Sequence, residues 1–224
     1  MRNGYQCGMV WGSALAAGAE AYRSLGAGYR AEAASLIAAQ RIVASFRAQN
    51  GAVDCFDLTD TDFSSTSQMW KYLLSGKPIG CFRMAARYAP VAFAEIRGAL
   101  GGEQGDAPAA PVSCSALVAR RLGASDLHAV MAAGFAGGIG LSGGACGALG
   151  AAVWLDAMGG GGDYKALEAR ATRIVERFLE ASGHRFECSE IVDRTFADVA
   201  DHAAYLRAGG CARILEALSA ERPT

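Results

Sequence analysis

A charge-free stretch, Gly134 to Trp154, constrains this chain more than any other segment. It reads GFAGGIGLSGGACGALGAAVW and holds eight glycines but a single cysteine, Cys146. Glycine permits tight turns and close backbone approach, and the alanines that follow Cys146 favour a helix. A cysteine at a helix start lies near unpaired N–H groups and the positive end of the dipole, which both favour its thiolate. The stretch therefore indicates cysteine chemistry, although it does not select one reaction.

Two other interpretations of this stretch concern packing rather than chemistry. The charge-free run covers residues 129–155, which is long enough for a membrane span. Its glycines cluster in the middle and bulky aliphatic residues are few, so we expect no membrane span. Cys146 could also be a small, inert residue of a packed core, as free cysteines often are. That second interpretation stays open.

Composition and charge narrow the fold class and the partners. Of the 224 residues, 52% are hydrophobic and 19% are charged, and the formal net charge is −1. Alternating runs of β-branched residues are scarce, whereas alanine-rich helical patterns are common. We therefore predict an all-α protein. The balanced charge predicts no nucleic-acid partner and no anionic membrane surface.

The cysteine pattern is typical of reduced thiols rather than of a disulfide scaffold. Seven cysteines stand far apart, and no C-x-x-C motif occurs. A small secreted disulfide domain would be shorter, and a zinc ribbon or a thioredoxin-like motif would need the C-x-x-C spacing. The apolar residues near the N-terminus are interrupted by glycine and make a poor signal peptide. We therefore expect a cytoplasmic protein.

Helical periodicity divides the chain into helices separated by glycine or proline. The predicted helices are 7–25, 29–49, 69–74, 81–100 with a bend at Pro90, 113–122, a short one capped by Ser125, 146–158, 164–181 and 211–218. The segment between the fourth and fifth of these has the composition of a linker.

The two halves of the chain repeat one pattern. The motif Arg-Ile-Val-x-x-Phe occurs at residues 41–46 and again at 173–178. Three cysteines of the first half precede three of the second by 139, 133 and 130 residues, in the pairs Cys7 and Cys146, Cys55 and Cys188, and Cys81 and Cys211. Matches in the same order indicate an internal duplication. We therefore predict two repeated helical modules that pack as a pseudo-twofold helical bundle.

The two predicted modules differ in completeness. Residues 1–100 would form an incomplete first module with three cysteines, 101–111 a linker, and 112–224 a complete second module with four. The helix around Cys114 and the glycine stretch have no counterpart in the first half. We therefore expect the reading frame to extend upstream, and apolar surface near Trp11 to lie exposed or to be covered by another chain.

The order of cysteines in the second half resembles a known family. Four cysteines follow one another in a characteristic order. The first lies in a helix, a glycine-rich turn leads into the second, a third follows, and the fourth opens the last helix. These are Cys114, Cys146, Cys188 and Cys211. This order is similar to that of the C_GCAxxG_C_C family of redox-active proteins. In the first half, the last three positions of the pattern correspond to Cys7, Cys55 and Cys81.

The resemblance implies one site formed by Cys114, Cys146, Cys188 and Cys211, with Cys7, Cys55 and Cys81 as a secondary set. Four cysteines gathered by a helical bundle could hold an iron–sulfur cluster or a zinc ion, or could carry out thiol–disulfide exchange. We predict a redox-active protein, an oxidoreductase or an electron-transfer component. Its expected cofactor is an iron–sulfur cluster, with zinc or no metal as alternatives.

Several points stay open at this level. The redox partner protein is not specified, and a homo-oligomer is compatible with the pattern. A helical structural or interaction module with buried, non-functional cysteines is the alternative function. The three histidines, His128, His184 and His202, are scattered, and each is better explained as a surface or hydrogen-bonded residue than as a ligand.

Overall fold

The computed structural model describes residues 5–102, 111–159 and 163–220, and its regular secondary structure there is helical throughout. Most of the predicted linker, residues 101–111, lies outside the described residues. The helices are α1 (Gly8–Leu25), α2 (Tyr29–Asn50), α3 (Cys55–Thr59), α4 (Thr66–Leu74), α5 (Lys77–Leu100), α6 (Cys114–Arg121), α7 (Asp126–Ala133), α8 (Gly147–Gly159), α9 (Tyr164–Ser182), α10 (Cys188–Val192), α11 (Val199–Arg207) and α12 (Ala212–Ser219). The all-α prediction is confirmed.

Most of the predicted helix bounds agree with the structure to within a few residues. One difference is that α5 begins at Lys77, with Pro78 in its first turn, where a proline needs no N–H partner. Cys81 therefore lies inside α5 and does not open it. Pro90 is accommodated within the same helix. No helix in the described ranges has the length and apolar character needed to cross a membrane.

Two groups of buried side chains form the interior. The first lies among α1, α2, α5 and α7 and includes Phe46, Tyr88 and Phe135. The second surrounds the cysteines of the second half and includes Phe178 of α9 and Leu36 of α2. Because α2 and α7 each contribute to the core of the opposite half, the two halves do not have independent interiors.

Helix α7 covers the apolar face of α1, and this corrects the expectation for Trp11. The Trp11 ring packs edge-on against Phe135, with ring centroids 4.7 Å apart. At Gly18 the two helices touch so closely that an added Cβ would lie 2.4 Å from the Met131 backbone. The sequence did not reveal this contact, because α7 belongs to the other half of the chain and has no counterpart in the first.

The predicted repeat has a matching local geometry in both halves. An isolated antiparallel bridge joins Gln6 to Asp54, and a second joins Ala145 to Glu187. In each case the bridge residues directly precede two cysteines. A five-residue helix follows each bridge, α3 or α10, and each ends at an aspartate with left-handed backbone, Asp60 or Asp193. These correspondences support the repeat, while the domain boundaries remain a proposal.

The glycine stretch folds into a buried left-handed turn. Residues 137–141 all have positive φ, between +57° and +80°. Two of them, Ile139 and Leu141, carry side chains, for which this conformation costs about 1–2 kcal/mol each. Hydrogen bonds hold the turn, including one from the Ile139 N–H to the Phe135 carbonyl at 2.8 Å. Consecutive strained residues persist only where their surroundings determine them, and such places often serve function.

The N-terminal segment of the first half docks into this turn. The Gln6 side chain donates from Nε2 to the Gly138 carbonyl at 2.9 Å and also contacts the Ser142 hydroxyl at 3.2 Å. Beside it, the rings of Tyr5 and Phe186 stack with centroids 4.2 Å apart. The residues that precede the first cysteine of one half therefore support the glycine turn of the other.

Candidate thiol site

The four site cysteines predicted in the second half all lie at helix starts. Cys114 and Cys188 are the first residues of α6 and α10, and Cys146 and Cys211 directly precede α8 and α12. The sequence analysis predicted no helix at Cys188, but the structure has one there. A capping box between Glu187 and the residue three positions beyond it starts a short helix there.

All four cysteines line one small cavity. Its volume is about 10 Å³, close to the space that one water molecule needs. Cys114, Cys146 and Cys188 are buried, whereas Cys211 is half-buried. The structure therefore brings together the residues that the sequence grouped, although their part in a reaction stays a proposal.

His202 on α11 lines the same cavity, and the sequence interpretation missed it. Its side chain is 2% exposed, and its Nδ1 lies 2.8 Å from the Val112 carbonyl oxygen. Because a carbonyl only accepts, Nδ1 carries a proton, and Nε2 is left for the hydrogen bond between His202 and Cys114. The histidine is hydrogen-bonded as expected, but its partner is a site cysteine.

The surroundings of Cys114 lower the pKa of its thiol. Burial acts to raise this pKa, but the hydrogen bond and charge of His202, together with the N–H of Gly137, outweigh it. The same contact raises the pKa of His202 against the effect of its own burial. Both directions favour a thiolate at Cys114 paired with an imidazolium at His202.

The other three thiols of the cavity favour the protonated form. Burial, followed by the charge of Cys114, raises the pKa of Cys146 to about 12 and that of Cys211 to about 12. Burial also raises the pKa of Cys188. The expectation that a helix start favours the thiolate fails at these positions, because loss of solvation outweighs the helix dipole. Cys114 is therefore the one cavity thiol whose pKa is lowered, and it is surrounded by three thiols whose pKa values are raised.

The cysteines of the first half do not line this cavity. They lie near one another, since after burial the charges of Cys7 and Cys81 are what raise the pKa of Cys55. The Tyr72 hydroxyl lies 3.2 Å from the Cys81 sulfur. The first half holds only three cysteines and no histidine, so this secondary set has no equivalent of the pair formed by Cys114 and His202.

The four thiols do not fit a metal centre as they are placed. Thiolates are suitable ligands for zinc and for iron–sulfur clusters. Within residues 5–102, 111–159 and 163–220, however, no group of three or more His, Cys, Asp or Glu side chains is positioned to hold a metal ion.

Comparison with known proteins supports a redox role at the level of a family. Residues 112–220 match the model of the family described as "Putative redox-active protein (C_GCAxxG_C_C)". The second half of this chain belongs to the C_GCAxxG_C_C family. No curated protein and no solved structure matches the chain. The matched C_GCAxxG_C_C segment contains all four cavity cysteines and His202, whereas a second copy in the first half is not shown by this comparison.

The glycine after Cys146 holds the cysteine of this C_GCAxxG_C_C segment against the left-handed turn. A Cβ at Gly147 would lie 1.7 Å from the Phe135 carbonyl oxygen, whereas a Cβ at the repeat-equivalent Gly8 would meet no atom within 4 Å. We expect Gly147→Ala to lower the free energy of unfolding by roughly 2–3 kcal/mol, the upper part of the usual range for overpacking. Gly8→Ala should be neutral or slightly stabilising, because alanine favours helix. Urea unfolding of both variants checks this, and equal effects would contradict it.

Proposed function

We propose that the C_GCAxxG_C_C half of this chain is a thiol–disulfide redox protein whose four cavity cysteines take up and release electrons by forming disulfides with one another. The observation that carries this proposal is that Cys114, Cys146, Cys188 and Cys211 line one cavity, where the hydrogen bond and charge of His202 lower the pKa of Cys114. The thiolate is the form that attacks in disulfide chemistry. The family description, a redox-active protein, agrees with this assignment.

The chemistry requires one ionised thiol and at least one neutral neighbour. When two cysteines form a disulfide, one S–S bond forms, two S–H protons leave and two electrons pass to an oxidant. Reduction by an external dithiol reverses the change, since the dithiol gives up two electrons and two protons and becomes a disulfide itself. Cys211, the half-buried member of the set, is the thiol that a larger reductant reaches most easily.

An iron–sulfur cluster or a zinc ion is the competing proposal for these cysteines. A cluster would supply one-electron transfer, and Cys114, Cys146, Cys188 and Cys211 would be its ligands. The spacing of the side chains as described does not support it. A structural module with inert cysteines is the other alternative, and the lowered pKa of Cys114 argues against it, because burial alone raises the pKa of a core thiol.

The test is a redox titration of anaerobically purified protein. We expect a protein with no bound iron or zinc in stoichiometric amount, whose cavity thiols disappear in pairs as the ratio of oxidised to reduced dithiothreitol rises. Thiol counts by alkylation and mass spectrometry follow the change, and reduction should restore every thiol. Stoichiometric iron with sulfide would favour the cluster. Thiols that stay unpaired at every potential would favour the structural module.

A further inference from the structure

We infer that Cys114 is the first thiol of the cavity to be oxidised, that His202 is the residue that positions and ionises it, and that the oxidant is a hydroperoxide no bulkier than hydrogen peroxide. This inference rests on the proposed function and assigns roles within it. It draws on the contacts of two side chains and on the size of the cavity.

The contacts of His202 leave one orientation of its ring. The Val112 carbonyl accepts the proton of Nδ1 at 2.8 Å, and Val112 stands two residues before Cys114. The segment that carries the cysteine therefore also orients the histidine that faces it. With Nδ1 committed, Nε2 can take the proton of the Cys114 thiol, and the imidazolium that forms keeps both of its hydrogen bonds.

The left-handed turn supplies a second donor to the same sulfur. The N–H of Gly137 is hydrogen-bonded to Cys114, and Gly137 is the first of five consecutive residues with positive φ. In an ordinary right-handed turn this N–H would point along the helix axis to a backbone carbonyl. The left-handed conformation of the turn therefore directs this N–H toward the Cys114 sulfur, where its hydrogen bond stabilises the thiolate.

The cavity limits what can reach Cys114. The side chain is buried, and the space beside it is about 10 Å³, enough for one molecule of the size of water. A peptide disulfide or a bulky organic peroxide does not fit, whereas hydrogen peroxide is only slightly larger than water. Low-pKa thiols beside a resolving cysteine are the thiols most readily oxidised by peroxide.

The reaction can be written with the groups that are present. The Cys114 thiolate attacks one oxygen of the peroxide, the O–O bond breaks, and the leaving hydroxide takes the proton from His202 to become water. Cys114 is then a sulfenic acid. A neighbouring neutral thiol attacks this sulfur, an S–S bond forms, and the sulfenic hydroxyl leaves with the thiol proton as a second water. Two thiols and one peroxide thus give one disulfide and two waters.

The ionisable groups around the pair come from several helices. The thiols that face Cys114 belong to Cys146 before α8, Cys188 on α10 and Cys211 before α12. The carboxylate that acts on the imidazole is that of Asp201, the preceding residue on α11. The pKa values of these three thiols are raised, so His202 is the neighbouring group whose hydrogen bond and charge favour the Cys114 thiolate.

The experiment compares wild type, His202→Gln and His128→Gln with hydrogen peroxide and tert-butyl hydroperoxide. Glutamine can donate a hydrogen bond but cannot accept the thiol proton. Mass spectrometry of alkylated protein gives the order in which the cysteines oxidise, and ultraviolet thiolate absorbance against pH gives the ionisation of Cys114 without a reagent.

We expect Cys114 to oxidise first in wild type, and tert-butyl hydroperoxide to react at least about ten times more slowly. In His202→Gln the thiolate should form only at higher pH, and the peroxide rate at neutral pH should fall about ten-fold or more, because less of Cys114 is then thiolate. His128→Gln should match wild type.

Three results would overturn the inference. The first is that another cavity cysteine is oxidised before Cys114 in wild type. The second is that a folded His202→Gln protein keeps the wild-type peroxide rate and thiolate titration. The third is that the two peroxides react at equal rates. The order of oxidation in wild type needs no variant, so a variant that fails to fold does not remove the test. Under any of these results the cavity thiols could still form disulfides with diamide, which would leave the proposed function standing. Failure of disulfide formation with every oxidant would contradict the proposed function itself.

Discussion

Replacing Gly140 with alanine should lower the free energy of unfolding by roughly 4 kcal/mol. Two costs add. Gly140 has φ of +57°, a left-handed conformation that costs an L-residue about 1–2 kcal/mol. Its Cβ would also lie 2.5 Å from the backbone of Ala39 and Gln40, in the middle of α2, and overpacking against a rigid helix costs about 1–3 kcal/mol. Urea unfolding measures the change.

Gly123→Ala is the matched control for this prediction. Gly123 has a comparable φ of +74°, but a Cβ there would meet no atom within 4 Å. It should therefore lose only the conformational part, about 1 kcal/mol. If the two variants lost the same free energy, the close contact between the glycine turn and α2 would not exist in solution.

Replacing Cys146 with serine should remove one two-electron step from the redox titration, whereas Cys7→Ser should remove none. The four cavity thiols pair with one another, so the loss of one leaves an odd thiol that has no partner. Cys7 is the repeat-equivalent residue, but it does not line the cavity. It also belongs to a set of three cysteines without a histidine. The difference between these two variants is therefore a difference between the two halves.

The measurement is the number of thiols that oxidise reversibly, counted by alkylation before and after treatment with diamide. For Cys146→Ser we expect the count to fall from the four cavity thiols to two, because the replaced thiol is lost and one remaining thiol has no partner. Equal counts in Cys146→Ser and wild type would mean that Cys146 is an inert core residue. A loss of the same size in Cys7→Ser would place the chemistry in both halves.

The sequence was a good guide to features that depend on local pattern. The all-α class follows from alanine-rich helical periodicity. The helix starts at Cys114 and Cys146 follow from Ser113 as a capping residue and from the glycines before the central helix. The grouping of the four cysteines came from the repeat and from the family resemblance, and the structure places those residues on one cavity.

The sequence was a poor guide to features that depend on contacts between distant segments. His202 stands 88 residues after Cys114, with no local motif around it, and the repeat gives no hint because the first half has no histidine. The packing of α7 against α1 was also missed, because this contact joins opposite halves of the chain. The left-handed turn was also missed: glycines permit it, but Ile139 and Leu141 within it do not favour positive φ.

The pKa values show how far a local rule can be trusted. A helix start favours a thiolate, and this rule alone predicts that all four cavity thiols are ionised. Burial reverses the effect at Cys146, Cys188 and Cys211, because a charge loses more from desolvation than it gains from the dipole. Cys114 differs because the hydrogen bond and charge of His202, a buried imidazole, lower its pKa.

Disulfide mapping of the oxidised protein tests the central claim most directly. The protein is oxidised mildly, the remaining thiols are alkylated, and the digest is analysed by mass spectrometry without reduction. The account predicts disulfides only among Cys114, Cys146, Cys188 and Cys211, with Cys114 present in the first one to form. Disulfides that join these cysteines to Cys7, Cys55 or Cys81, or four cavity thiols that stay reduced while others oxidise, would contradict it.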